Sequence, residues 1–431
     1  MKTLIRDVRI VDSKRDERAS LLLEDGLIST MIPSGSPEET RLLELSGSDT
    51  QVLHPASHLV LMPAFVELHA HFRDPGYPAK ETLESACLAA VAGGYTTVVC
   101  MANTKPIMDN KDDAAKLKTR AESLGLVDLY PCLSLTRGMH GTDSSHLKDA
   151  PSPLVVRMLS DDGLDVADDK VFLAAMNRAA ELDLPVSCHC DFGGEEARIA
   201  RETVATPAEI SRIEEDKGTA RALDLAQETE CHVHIAHVST RVAIGLVRQA
   251  KRSPHITCEV TPHHLALNED DARALGILTD GKVAPPLRSD DDRKALREAI
   301  LDGTVDAIST DHAPHTMSDK ESGNPGFSGL ETAFAVCHAE LVESGLISLK
   351  RLSALMSARP AKILGLTDRG NLQPGMRADL VLVDPTCNWT VDPTALRTRG
   401  KNTPFAGRAM KARVLATIRS GRFVYDHLDT P

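Results

Sequence analysis

The chain has 431 residues, 42% of them hydrophobic and 26% charged, and a net charge of −13. That length suits a large α/β domain carrying a smaller one, and the composition is that of a soluble enzyme with a sizeable core. The acidic balance argues against a nucleic-acid backbone or an anionic membrane surface as partner, while leaving room for a small anionic substrate held by local arginines.

The N-terminus mixes charged and apolar residues, unlike a signal peptide, and no run reaches the ~18 apolar residues of a spanning helix. Residues 4 to 31 read as short strands, with Asp25-Gly26 turning a hairpin. Residues 32 to 50, rich in Ser, Gly, Pro and Glu, read as a loop or an edge excursion. From about residue 62 an apolar strand is repeatedly followed by a turn and a helix-period segment. Helices are expected over 81–92, 111–124, 171–182, 218–229 and 292–301, each leading into a strand: 95–100, 127–131, 184–188, 231–235 and 306–310. Leu154 to Leu159 reads as a further strand. Strands this apolar imply a parallel sheet covered by helices, and this many units favour a closed (β/α)8 TIM-like barrel. After residue 365 strands return at 378–384 and 415–425. The expected organisation is therefore a barrel over 61–365, with a small β-sandwich domain built from 1–60 and 366–431. The nine cysteines follow no regular spacing, which points to reduced thiols in a cytoplasmic protein.

The chemistry collects at strand ends, the catalytic face of such a barrel. His69 and His71 stand two apart on a strand, so both rings share one face and can hold one metal ion. Asp161-Asp162, His189, His237 and Asp311 end later strands. Nitrogen and carboxylate ligands without an organised thiolate set favour zinc or a similar divalent ion in an open site. Cys188-His189-Cys190 does not make a structural zinc site, because adjacent strand residues face opposite ways. Four histidines and two aspartates exceed the needs of one four-coordinate ion, so a pair roughly 3.5 to 4 Å apart, bridged by a carboxylate and sharing an acidified water, is reasonable. Asp311 is then placed to take and return a proton.

The set His69-x-His71-x-Arg73-Asp74-Pro75-Gly76, Met101-Ala102-Asn103-Thr104, Ser160-Asp161-Asp162-Gly163, His189-Cys190, His237-Val238-Ser239, Cys258 to His264, Pro285-Pro286-Leu287-Arg288, Asp311 to His315 and Asn402-Thr403-Pro404 resembles the bacterial type I dihydroorotases of the amidohydrolase superfamily. The resemblance spans nearly the whole chain. It implies two zinc ions per chain, one held by His69, His71 and Asp311, the other by His189 and His237. Asp162 would bridge them, with Asp161 as the alternative. It places the substrate α-carboxylate against Arg73, Asn103 and His315. The implied reaction is the reversible cyclisation of N-carbamoyl-L-aspartate to L-dihydroorotate, a step in pyrimidine (UMP) biosynthesis, in a homo-oligomer that in some relatives partners aspartate carbamoyltransferase. Alternatives are a hydantoinase, dihydropyrimidinase or allantoinase, or a non-catalytic scaffold. The first three use a carbamylated lysine bridge, and the stretch Leu154 to Gly163 has no lysine. Departures from the family pattern are Ala284 where Asn is usual, which removes a side-chain contact, and Glu67 where Asp is usual. Residues 137–153 fit the pattern poorly, and Ser318 to Gly329 reads as a mobile loop at the site mouth.

Overall fold

Strands from both ends of the chain share one sheet. The computed structural model describes residues 2–45, 50–150, 152–192, 206–276 and 281–428. The N-terminal part supplies β1 (Lys2–Val11), β2 (Asp16–Glu24), β3 (Leu27–Pro33), β4 (Thr50–Leu53) and β5 (Val60–Pro63). The central part carries β6 (Phe65–Ala70), β7 (Tyr95–Cys100), β8 (Asp128–Pro131), β9 (Val186–Cys188), β10 (Val233–Ile235), β11 (Ile256–Val260) and β12 (Ala307–Ile308). The C-terminal part adds β13 (Leu380–Thr390), β14 (Ala409–Arg419) and β15 (Arg422–Asp426). The terminal strands form one sheet in the order β15-β14-β13-β5-β1-β2-β3, with β4 on β1. Within it β5 pairs parallel with β1 and antiparallel with β13, so residues 60–63 lock the two ends together. The sheet has its own apolar core, drawn from Ile10, Leu21, Leu23, Leu61, Leu380 and Ile418 among others.

The central strands pair parallel throughout: β6 with β7, β7 with β8, and β9 through β12 in turn. Leu159 is bridged in parallel to both Leu133 and Val186, and Ala70 to His312. These bridges carry strand pairing from β8 across to β9 and from the end of β12 back to β6. The stretch 154–159 is thus a single bridge residue, Leu159, where the sequence suggests a full strand.

Helices cover this pairing for reasons readable in the residues. Leu83–Ala92 opens with a Thr82/Ser85 capping box and is small and apolar nearly all round, so it is buried nearly all round. In Arg241–Ala250 the buried residues Ala243, Ile244 and Val247 fall on one face. Two further readings of the sequence need correction. Residues Pro37–Leu45, expected as loop, form a helix, with Glu38 and Glu39 in its first turn where the backbone dipole favours acid. The helix expected over 218–229 runs Pro207–Ala226, opened by a Thr206/Glu209 capping box and a proline in its first turn. All nine cysteines are free and eight are buried. No helix among the described residues is long and apolar enough to cross a membrane.

Candidate active site

The ends of β6, β10 and β12, with the turns after Leu159 and β9, deliver four imidazoles and two carboxylates to one point. His69 and His71 sit at the end of β6, their ring centroids 5.4 Å apart. Asp162 Oδ1 lies 3.1 Å from His69 Nε2, 3.4 Å from His189 Nδ1 and 3.6 Å from His237 Nε2, and its Oδ2 is 3.4 Å from His71 Nε2. Asp311 Oδ1 is 3.1 Å from His71 Nε2 and 3.7 Å from His69 Nε2. Ligand atoms of His69, His71 and Asp311 form one compact group, and those of His69, Asp162 and His237 another. His189 joins through its Nδ1, 2.9 Å from His237 Nε2.

Asp161 and Asp162 are separated by their partners. Asp161 accepts from the Thr136 backbone N–H at 3.1 Å and from the Thr136 hydroxyl, facing away from the imidazoles. Only Asp162 enters the cluster. Residues 137–153, unassigned from sequence, follow Thr136 and include His146, whose Nε2 lies 2.9 Å from the Ser134 carbonyl.

The donor set fits a divalent cation. His69 Nε2 and Asp162 Oδ1 are buried and have no hydrogen-bond partner, although they are only 3.1 Å apart. Each therefore lacks a protein partner, and a cation beside both would satisfy them. Burial alone would raise the Asp162 carboxyl, but His69, His189 and His237 hold it well below the usual carboxylate range. Asp311 is likewise held at about 2, against its burial, by His71 and His69.

A second layer aims the rings. Glu259, fully enclosed in β11, places Oε1 3.1 Å from His69 Nδ1 and Oε2 3.2 Å from His234 Nε2, fixing His69 so that Nε2 turns inward. His71 Nδ1 meets Asn103 Oδ1 at 2.9 Å, and the Asn103 amide donates to the Asp162 carbonyl at 3.3 Å. Asn103 thus touches the cluster as well as lining the pocket. Glu67 accepts from the backbone N–H groups of His69 and Thr310, joining β6 to the end of β12. Burial and the neighbouring Glu259 push its carboxyl up to about 8. Arg73, His237 and Asp311 have positive φ values of 58°, 31° and 46°, a backbone region uncommon outside glycine and frequent at functional sites.

The cluster forms the floor of a pocket of about 290 Å³ lined by Arg73, Lys80, Asn103, Asp162, Ala284 and His315 among others. Arg73 Nη2 is 3.2 Å from His315 Nε2, and Arg73 Nε donates to the Pro314 carbonyl at 3.3 Å. Burial, Arg73 and Lys80 push His315 down to about 3, leaving it neutral. Ala284 brings a methyl group and no polar contact to the wall.

The segment read from sequence as a mobile loop is tied down. Lys320, buried, donates to the carbonyls of Lys282, Asn324 and Gly326 at 2.9 to 3.2 Å. Asn402 accepts from the His315 backbone N–H at 2.8 Å and from Ser328 Oγ at 3.0 Å, and donates to the Ala313 and Gly326 carbonyls. Gly326 has φ 137°, and a Cβ there would lie 2.7 Å from that of Ala313, so only glycine lets the segment approach this closely.

Residues 60–424 match the model of the amidohydrolase family. The chain belongs to that family. Its relatives include dihydroorotases from Clostridium botulinum, 38% identical over 99% of this chain and 100% of that one, and from Syntrophus aciditrophicus, 39% identical over 99% of each. Similar solved structures include an L-hydantoinase (dihydropyrimidinase) from Arthrobacter aurescens, with a TM-score of 0.86, 23% identity and coverage of 99% and 96% of the two chains. At that identity the second likeness speaks for the amidohydrolase fold alone, TIM-barrel in type.

Glu259, Lys80 and Thr136 are among the site residues that sequence reasoning gave no role. The signal for Glu259 was a lone carboxylate inside the apolar strand Ile256–Val260.

Proposed function

We infer that this amidohydrolase is a dihydroorotase, interconverting L-dihydroorotate and N-carbamoyl-L-aspartate in pyrimidine biosynthesis. The observation that carries this reading is identity of 38–39% with dihydroorotases along essentially the full chain. The Arg73–His315 pair beside the imidazole and carboxylate cluster agrees with it, since a ring bearing a carboxylate needs a cation next to the hydrolytic centre.

His69, His71 and Asp311 would hold one zinc ion, His189 and His237 a second, with Asp162 between them. Bound there, zinc supplies Lewis-acid polarisation of the ring carbonyl and a lowered pKa for the attacking water. The chain's own residues do the rest. Arg73 presents a guanidinium fork to the α-carboxylate, with Asn103 and His315 beside it, and so fixes which carbonyl lies over the cluster. In hydrolysis, water oxygen bonds to the C4 carbonyl carbon and the C4–N3 bond breaks. Asp311, ionised at neutral pH, accepts the water proton and passes it to N3, which leaves as the carbamoyl NH2. Cyclisation runs the same steps backwards. We read the bridged pairing of β6 through β12 as a closed (β/α)8 barrel over 61–365, less residues 61–63, which β5 gives to the β-sandwich domain of 1–60 and 366–431. The biosynthetic role and the thiols read as reduced support a cytoplasmic setting.

The test is hydrolysis of L-dihydroorotate by the purified protein beside hydantoin and dihydrouracil, with bound metal counted in the same sample. Activity on dihydroorotate alone, lost on chelation and restored by zinc, is the expected result. Inactivity with a full metal complement would overturn the reading.

A further inference from the structure

Lys80 lines the pocket that holds Arg73 and His315, yet it has no part in the scheme above. Its position is fixed on both sides. Its backbone N–H closes a turn onto the Tyr77 carbonyl at 2.9 Å. The next residue, Glu81, is buried and accepts from Ser85, Thr398 and the Arg399 backbone. The ammonium group, on a side chain only 20% exposed, lies 3.3 Å from His315 Nδ1 and 3.3 Å from Asp319 Oδ1.

Those contacts determine which hydrogen His315 carries. An ammonium can only donate, so Nδ1 must accept from Lys80. The opposite ring nitrogen, Nε2, lies 2.8 Å from the Pro325 carbonyl, which can only accept, so Nε2 bears the hydrogen. The two contacts agree on one neutral tautomer. In that tautomer Nε2 has no lone pair for Arg73, whose Nη2 rests 3.2 Å away, so that corner of the guanidinium keeps a donor for an incoming anion. We propose that Lys80 is a positioning and specificity-determining residue of the substrate-carboxylate subsite. It keeps the single N–H of His315 on the edge next to Arg73, ties that ring through Asp319 to the 316–326 segment, and adds a second positive charge at the place where the carboxylate docks.

The proposal rests on the dihydroorotase reading and deepens it. The α-carboxylate is not a reacting group, so its contacts act alike on bound substrate and transition state and show in KM rather than kcat. In the zinc-loaded full-length protein, K80M raises KM for L-dihydroorotate and for N-carbamoyl-L-aspartate roughly ten- to hundredfold, the range of a lost hydrogen bond to a charged group. Its kcat stays within about threefold of the wild type. K80R, which retains the charge and a donor, recovers most of the loss. Unchanged KM in a folded, metal-loaded K80M, a fall in kcat alone, or a K80R no better than K80M would each overturn the proposal. A readout free of variant folding comes from long-range 1H–15N spectra of the unmutated protein, with the His315 signals assigned by their loss in H315Q. The Nε2–H tautomer is expected, and an Nδ1–H tautomer would overturn the assignment. A wild type inactive on dihydroorotate with full metal defeats the functional reading instead, and the tautomer measurement then decides the role of Lys80 by itself.

Discussion

Replacing Glu259 with glutamine keeps the side-chain volume but removes a buried charge shared by two imidazoles. Its carboxylate oxygens lie 3.1 Å from His69 Nδ1 and 3.2 Å from His234 Nε2. Burial disfavours that charge, and the two histidines overcome the penalty, holding the carboxyl well below its usual range. A hydrogen bond to a charged group contributes about 1.5–3 kcal/mol, against about 0.5–1.5 for a neutral pair. The difference at His69 alone is about 1–1.5 kcal/mol. It reaches the cation because a carboxylate on Nδ1 makes Nε2 a better ligand and fixes its direction. At about 1.4 kcal/mol per decade, the zinc dissociation constant of Glu259→Gln should rise roughly tenfold, with a hundredfold as ceiling. The assay is equilibrium competition for zinc against a chelator of known affinity, with urea unfolding of the metal-free protein as control. Glutamine can still accept from His69 and donate to His234, so metal-free stability should fall by no more than about 2 kcal/mol. A folded variant with wild-type zinc affinity would refute the argument that Glu259 aims His69 at the metal.

Asp311→Asn should lower kcat by roughly two to four orders of magnitude, the usual worth of a proton carrier; near-normal turnover at unchanged metal content would remove Asp311 from that role. Arg73→Lys replaces a fork by a point charge and should raise KM for L-dihydroorotate roughly tenfold or more, measured by initial rates, whereas an unaltered KM would place the carboxylate elsewhere. Asp128 is an acid-stability probe: burial opposes its charge, but Arg377, Arg369 and Arg419 hold it at about 2 against an ordinary 3.8. The unfolded chain therefore takes up this proton first as pH falls, so the contribution is complete above pH 3.8 and gone once pH has fallen through about 2. Asp128→Asn should flatten that part of the stability profile, by an amount on the order of 2 kcal/mol, and a profile unchanged from wild type would contradict it.

What could be read in advance followed from periodicity. His69-x-His71 needs only the two-residue repeat of a strand, and each later member of the cluster announces itself as a polar residue ending an apolar run. Choosing between Asp161 and Asp162 was beyond that logic, because adjacent tip residues face opposite ways and the inward one depends on which finds an outside partner, here Thr136. The helix Pro37–Leu45 hid behind flanking Ser, Gly and Pro, although its proline and two glutamates are ordinary features of a first turn. The helix expected from residue 218 extends back to Pro207 across a charged stretch, and Glu215 is buried there because Arg288, Ser239 and Thr240 satisfy its carboxylate. Lys80 carries no periodic signal, and its meaning comes only from a histidine that lies 235 positions further along.

The seam at β5 and the anchoring by Asn402 set a timetable for synthesis. On the ribosome β13, which continues the sheet of β1 across β5, emerges more than three hundred residues after it. At roughly 5–20 residues per second, that interval lasts on the order of tens of seconds. The strands that lead into His69, His189 and His237 are all made within it, before the segment that pins His315. The backbone of His315 receives its partner only when Asn402 arrives, so this wall of the pocket is pinned after every imidazole and carboxylate of the cluster has been made.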